Sequence, residues 1–202
     1  RTTIKESYRK EIAKPSSFKS LIEVYGISRD GKKEKNPTVY IEEFETEEAF
    51  PLLPYIFFKT NSPDLKITDL NLLNSNSVVS FNEQKLNWNT LDIYKDILNI
   101  IGRRLVDNPR ATINLTGCNS NFGSEENNLE LSKRRAEQVK DYFVNVWKID
   151  SKRINVNAQN LPSNPSRANV LDGQKENQRV EISSDSYNII KPVTLKSVTI
   201  QA

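Results

Sequence analysis

The chain has 202 residues, of which 29 are basic and 26 acidic, and its formal net charge is +3. The two signs are interleaved without the basic stripe that nucleic-acid-binding proteins carry, so we expect no nucleic-acid partner. No apolar run is long enough to cross a bilayer, so no transmembrane segment is predicted. The length allows one sizeable domain and a smaller piece.

The composition also argues against enzymatic chemistry. The chain has no histidine, which excludes Ser-His-Asp triads, Cys-His dyads and histidine-bearing metal sites. Its single cysteine, Cys118, has no basic neighbour that would activate it, so we interpret it as a buried small hydrophobe. The acidic residues are scattered over predicted helix surfaces and turns. We therefore expect a protein that is not an enzyme and needs no cofactor and no metal.

Residues 1–50 are predicted to be a β-rich flanking segment. Residues 21–27 alternate in polarity, Asp30–Gly31 supplies a turn with positive φ, and residues 39–44 form the return strand of a hairpin that spans residues 17–44. A lone hairpin is too small to be stable by itself. We therefore expect it to pack against other β structure.

Residues 51–184 are predicted to form the main domain, which begins with a short apolar strand at residues 55–58. The polar residues 61–89 follow, and they are interpreted as an insertion or a lid. Asn89 or Thr90 can cap a helix that ends at Asn108-Pro109.

The second half of this domain continues with a strand at residues 112–116 and a helix at residues 126–147, whose buried stripe begins at Leu129. Strands at residues 153–158 and 179–183 complete it. The order β-α-β-α-β-β predicts an α+β fold with a mixed four-stranded sheet and two helices on one face. The predicted core comprises Ile56, Phe58, Ile97, Ile101, Ile113, Leu115, Val139, Phe143, Ile154 and Ile182.

Residues 185–202 are predicted to be a C-terminal segment with a strand at 192–200, since apolar residues alternate there. The segment is open to interpretation as the start of a further β module. Because the N-terminal hairpin has edges that need cover, we expect the two terminal segments to lie close together.

Residues 115–139 are the most informative stretch. A strand stops at Gly117, a polar loop follows, and Arg135 projects from the helix that comes next. A polar loop beside a helix start, with an arginine nearby, is suited to binding a small zwitterion or carboxylate.

This stretch resembles the signature of the OmpA-like C-terminal domain (OmpA/MotB/Pal type), the peptidoglycan-binding module of outer-membrane and flagellar-motor proteins. The family pattern reads Gly-His-Thr-Asp, a loop with a glycine, then Asn-x-x-Leu-Ser-x-x-Arg-Ala-x-x-Val. The corresponding residues here are Gly117-Cys118-Asn119-Ser120, Gly123, Asn128, Leu131-Ser132, Arg135-Ala136 and Val139. Asn177-Gln178-Arg179-Val180-Glu181 resembles the closing motif of the family, and the resemblance covers roughly residues 51–183.

The resemblance implies a ligand, the diaminopimelate side chain of the peptidoglycan stem peptide. Arg135 matches the arginine that binds its carboxylate, and Asn119, Ser120, Asn128 and Thr60 complete the predicted site. Each of two residues also has an alternative role that does not involve a ligand. Arg135 could only neutralise neighbouring glutamates on a solvated helix face, and Asn128 could only cap the helix.

Three positions depart from the family pattern. The aspartate of the family falls on Ser120, its histidine on Cys118, and a second acidic residue after the first strand on Lys59. Losing a charge-assisted hydrogen bond weakens binding by roughly 1.5–3 kcal/mol. The diaminopimelate site is therefore predicted to be altered and weakened.

The sequence thus predicts a noncovalent peptidoglycan-associating module whose partner is a stem peptide or a small carboxylate. The alternative is a structural or protein-interaction domain that keeps the fold without binding peptidoglycan. The resemblance implies a periplasmic or outer-membrane location. Since the chain begins at Arg1 and contains no methionine, we expect a segment of a larger exported envelope protein.

Overall fold

A computed structural model of the protein describes residues 20–35 and 42–201. The chain divides into two units, Arg1–Glu43 with Ile200–Ala202, and Phe44–Thr199. In the smaller unit, β1 (Gly26–Ile27) pairs antiparallel with β2 (Lys33–Glu34). Gly31 has a φ of 82° in the connecting turn. A hairpin with the predicted turn is therefore confirmed.

The predicted return strand of this hairpin was wrong. In a hairpin with a short loop, the residues on either side of the loop pair with each other, so the partner of β1 is Lys33–Glu34. Phe44 belongs instead to β3 (Glu42–Phe50), which forms a two-stranded sheet with β8 (Val193–Gln201). The C-terminal strand is thus present. The predicted positions 17–19 and 39–41 lie outside the described residues.

The central sheet lies in the larger unit and has the order β4-β7-β5-β6. Its strands are β4 (Tyr55–Phe57), β5 (Ile113–Gly117), β6 (Ile154–Ala158) and β7 (Arg179–Ser183). β5 and β6 are parallel, and β7 is antiparallel to both of its neighbours, β4 and β5. The predicted α+β class with a mixed four-stranded sheet is confirmed.

Helices pack on this sheet. The first predicted helix is divided at Asp96, whose ψ of 10° departs from helical geometry, into α1 (Thr90–Lys95) and α2 (Ile97–Asp107). Asn89 caps α1, because its side chain accepts hydrogen bonds from two backbone N–H groups of the first turn. The second predicted helix is α3 (Leu129–Asn145).

Three details of the helices differ from the sequence predictions. α4 (Leu171–Asn177) and α5 (Tyr187–Ile190) are too short to show a clear apolar stripe, and they were not predicted. Leu129 was placed on the buried stripe of α3, but its side chain is 48% exposed. Leu129 is the first residue of the helix, and Leu131 takes the buried position instead.

All ten residues of the predicted core are buried and belong to one hydrophobic cluster between the sheet and the helices. Burying a large aliphatic or aromatic side chain contributes about 1.5–3 kcal/mol. This cluster therefore stabilises β5 and α3, the two elements that flank the loop after β5. A second, smaller cluster joins Phe50 to Val193 and Leu195, so the β3–β8 pair also contributes buried side chains.

The polar residues 61–89 form a packed segment with three short 3₁₀ turns, Leu65–Ile67, Val78–Ser80 and Glu83–Lys85. Leu65 is buried in the main cluster. The Tyr142 hydroxyl accepts a hydrogen bond from the Leu73 N–H at 2.9 Å and donates one to the Asn99 side chain at 2.6 Å. This segment therefore covers the core and places residues 59–62 against α3.

Candidate functional site

The site lies beside Gly117, where the backbone of β5 comes very close to the backbone of α3. A Cβ atom placed on Gly117 would lie 1.8 Å from the carbonyl oxygen of Ser132, so only glycine allows this approach. Asn128 caps α3 by accepting a hydrogen bond from the Leu131 N–H at 3.0 Å. The loop between Gly117 and Asn128 is thereby held over the first turns of the helix.

Arg135 lies under this loop with a side chain that is 0% exposed. Its guanidinium donates to the carbonyl oxygens of Ser62 at 3.1 Å, Cys118 at 2.9 Å and Lys59 at 3.1 Å. It also donates to both carboxylate oxygens of Glu125, at 2.6 and 3.5 Å. A guanidinium has five N–H donors. Each of them has an acceptor here.

Glu125 is the second fully buried charge of the site. Besides Arg135, its carboxylate accepts hydrogen bonds from the Ser120 N–H at 2.9 Å, the Ser120 hydroxyl at 3.0 Å and the Asn61 N–H at 2.8 Å. Donors from three separate segments therefore surround one carboxylate. The arrangement is a complete carboxylate-binding pocket, and Glu125 occupies it.

These hydrogen bonds determine the charge state of Glu125. Burial alone would raise its pKa, because desolvation disfavours the ionised form. The hydrogen bonds from Arg135, Ser120 and Asn61 outweigh burial and hold the pKa of Glu125 below its usual value. The carboxylate is therefore ionised at neutral pH.

The lowered pKa predicts a specific sensitivity to acid. A group whose pKa is lower when folded contributes stability that is complete above the unfolded value, about 4.3 for glutamate, and is lost as the pH falls through the folded value. Between pH 5 and pH 3 we expect wild type to lose more unfolding free energy than Glu125→Gln, by about 1.4 kcal/mol for each unit of pKa difference. Urea unfolding across this range measures it. Glu126→Gln, at an exposed position, serves as the control, and equal slopes for wild type and Glu125→Gln would contradict the prediction.

Two of the other predicted site residues hold the loop in place. Asn119 is fully buried, and its side chain donates to the Asn128 carbonyl oxygen and the Ser132 hydroxyl, both at 2.9 Å. The side-chain amide oxygen of Asn119 accepts from the Asn121 N–H at 2.7 Å. Asn128 caps α3, as one of the two alternatives predicted. A contact of either residue with a ligand stays a prediction.

Thr60 lies at the edge of the site. It is exposed, and its hydroxyl donates to the Gln178 side chain at 3.2 Å. The Lys59 ammonium lies 3.8 Å from the Asp69 carboxylate. Thr60 and Lys59 also line a cleft of about 540 Å³ that includes Phe57 and Lys175.

Cys118 is fully buried, and burial raises the pKa of its thiol to about 11. The thiol is therefore protonated at neutral pH and unreactive. Among the described residues, no group of three or more His, Cys, Asp and Glu side chains is arranged to hold a metal ion.

The sequence prediction missed Glu125, Asn61 and Ser62. Glu125 precedes Arg135 by ten positions across an irregular loop, where no periodicity indicates a contact. Asn61 and Ser62 contribute backbone groups, which carry no sequence signal. A buried arginine needs an anionic partner, and that requirement was the available clue to Glu125.

Three solved structures with low sequence identity are similar to this chain. The peptidoglycan-associated lipoprotein from Burkholderia pseudomallei is 13% identical over 66% of this chain and 91% of its own, with a TM-score of 0.44. The C-terminal domain of Helicobacter pylori MotB is 17% identical over 68% and 90%, with a TM-score of 0.42. The OmpA-like domain of FopA1 from Francisella tularensis is 16% identical over 90% and 84%, with a TM-score of 0.39.

A search of curated proteins gave no match. Among the described residues, no helix is long and apolar enough to cross a membrane. The assignment rests on a sequence model of the OmpA family, which matches residues 80–179. That range contains the loop, Glu125 and Arg135. The chain therefore carries a domain of the OmpA family, whose domains are non-catalytic peptidoglycan-binding modules in the periplasmic parts of envelope proteins.

Proposed function

We propose that this chain is a noncovalent peptidoglycan-associating module of a cell-envelope protein, located in the periplasm or at the outer membrane, whose diaminopimelate site is weakened. We further propose residues 51–184 as the extent of the module. Membership of the OmpA family supports the general function. The reduced affinity is argued from the chain's own residues.

The observation that carries the proposal is the engagement of Arg135. A ligand carboxylate needs at least two free N–H donors for the paired contact that arginine makes. The donors of Arg135 already face Glu125 and three carbonyl oxygens. An external carboxylate therefore has to displace Glu125 before it can bind.

The ammonium of diaminopimelate also lacks its expected partner. Ser120 stands at the position of the family's aspartate, and its hydroxyl is bonded to Glu125. The Glu125 carboxylate lies beside Ser120, but its oxygens already accept hydrogen bonds from Arg135, Ser120 and Asn61. Without a free carboxylate, a desolvated ammonium loses a charge-assisted hydrogen bond, which weakens binding by about ten- to a hundredfold.

A second candidate function is a structural or protein-interaction domain that keeps the fold without binding peptidoglycan. The same buried pair favours it, because Glu125 and Arg135 are each 0% exposed and satisfy one another. In such a domain, Glu125 and Arg135 would stabilise the fold and would not bind the cell wall.

Calorimetry with free meso-diaminopimelate tests the proposal. The double variant Ser120→Asp/Glu125→Ala frees the guanidinium and restores the family's carboxylate, so we expect it to bind at least tenfold more tightly than wild type. The control is Ser120→Asp/Glu126→Ala, since Glu126 is exposed and its side chain lies outside the pocket. Equal affinity of wild type and the double variant would contradict a weakened site.

Co-sedimentation with purified sacculi separates the two candidate functions. The proposed module should co-sediment weakly as wild type and more strongly as the double variant. If neither wild type nor the double variant co-sediments with sacculi, the result would support the structural domain.

A further inference from the structure

Glu125 enters the pocket from a turn that is otherwise on the surface. The 3₁₀ turn Gly123–Glu125 has Glu125 as its one buried residue, and Phe122, Ser124 and Glu126 are exposed. The Phe122 side chain is 51% exposed. The turn therefore contributes a single side chain to the interior, and that side chain is a carboxylate.

The pocket walls do not depend on this turn. The donors to the Glu125 carboxylate come from Asn61 in the segment after β4, from Ser120 directly after β5, and from Arg135 on α3. Arg135 is itself fixed by three carbonyl oxygens outside the turn. Movement of the turn would consequently leave a formed, positively charged pocket.

The backbone of the turn is held in a conformation that disfavours most residues. Asn121, Gly123 and Asn127 have φ values of 46°, 57° and 55°, all in the left-handed region. Apart from the Glu125 carboxylate, the contacts that hold the turn include the Asn127 N–H to the Asn121 side chain at 2.9 Å and the Asn61 side chain to the Ser124 hydroxyl at 2.6 Å. Those two contacts are exposed, so the Glu125 carboxylate is the buried side-chain contact that holds the turn closed.

We propose that this pocket is a carboxylate receptor closed by the chain's own Glu125, and that a small external carboxylate takes its place when the turn swings outward. The inference rests on the proposed function in assigning ligand binding to Arg135, and it adds how the site is regulated. Glu125 acts as a tethered competitor. The apparent affinity of an external carboxylate is then its intrinsic affinity multiplied by the fraction of molecules whose turn is open.

Replacement of the tethered carboxylate by a free one tests this directly. In Glu125→Ala, sodium acetate should raise the Tm above that in sodium chloride of equal ionic strength, by roughly 2–5 °C at ten times its Kd. Wild type and Glu126→Ala should show no difference between the two salts. In Glu125→Ala/Arg135→Leu the acetate effect should disappear, because the guanidinium is gone.

A second variant keeps the test decisive if Glu125→Ala does not fold. Gly123→Ala adds a methyl group in open space but strains the left-handed turn, while Glu125 and all the pocket donors remain. It should respond to acetate more than wild type does. A folded Glu125→Ala without an acetate effect, or a Gly123→Ala variant that matches wild type, would overturn the proposal.

The outcomes also separate this inference from the proposed function. An acetate effect in Glu125→Ala with no co-sedimentation of any variant on sacculi would support the receptor and reject the wall-binding function. Co-sedimentation of wild type, together with no acetate effect in Glu125→Ala, would support the wall-binding function and reject the receptor.

Discussion

Replacing Arg135 with alanine is expected to lower the free energy of unfolding by about 3–5 kcal/mol, which is the usual cost of removing one partner from a buried ion pair. The variant leaves the Glu125 carboxylate buried without its cation. It also leaves the carbonyl oxygens of Lys59, Ser62 and Cys118 without their donor. Urea unfolding at pH 7 measures the change.

The neighbouring Arg134 provides a matched control, because it lies on the same helix with an exposed side chain. Arg134→Ala should change stability by no more than about 0.5 kcal/mol. Similar losses for the two variants would show that the buried pair contributes no more than a surface charge. A large loss has a practical consequence: reduced peptidoglycan binding by Arg135→Ala would report damage to the loop as well as a lost ligand contact.

Replacing Gly117 with alanine should cost at least about 3 kcal/mol. Overpacking usually costs about 1–3 kcal/mol, and more where neither side can yield. The added methyl carbon would lie 1.8 Å from the Ser132 carbonyl oxygen and 3.3 Å from the Ala136 Cβ atom. The first of these contacts is with helix backbone, so β5 and α3 have to separate and the loop between them moves.

Gly123→Ala is the control for this prediction, since the same methyl group meets no atom within 4 Å there. Its left-handed backbone alone should cost about 1–2 kcal/mol. Thermal unfolding of both variants compares the two effects. Gly117→Ala with a loss no greater than that of Gly123→Ala would argue against backbone contact between β5 and α3.

Local sequence patterns were sufficient for most of the central fold. The strand at Arg179–Ser183 was predicted with its observed limits, and Asn89 and Asn128 cap the helices as their side chains allow. These features follow from alternation, helical period and capping chemistry, which act within a few residues. The expected proximity of the two terminal segments is seen in the pairing of β3 with β8. Where tertiary contacts decide, two details were wrong: Phe44 lies in β3 instead of the return strand of the hairpin, and Leu129 is exposed at the start of α3.

The sequence by itself determined that Arg135 and the loop after Gly117 belong to one site, because the OmpA-like motif fixes their spacing. Only the tertiary structure decided what Arg135 binds within the chain. Ser62 lies 73 residues from Arg135 and Asn61 lies 64 residues from Glu125, and both contribute backbone atoms, which every residue type except proline has in full. The burial of Glu125 depends on these distant segments converging. No local pattern encodes that convergence, because a buried ion pair forms only where the whole fold supplies enough partners to compensate for lost solvation.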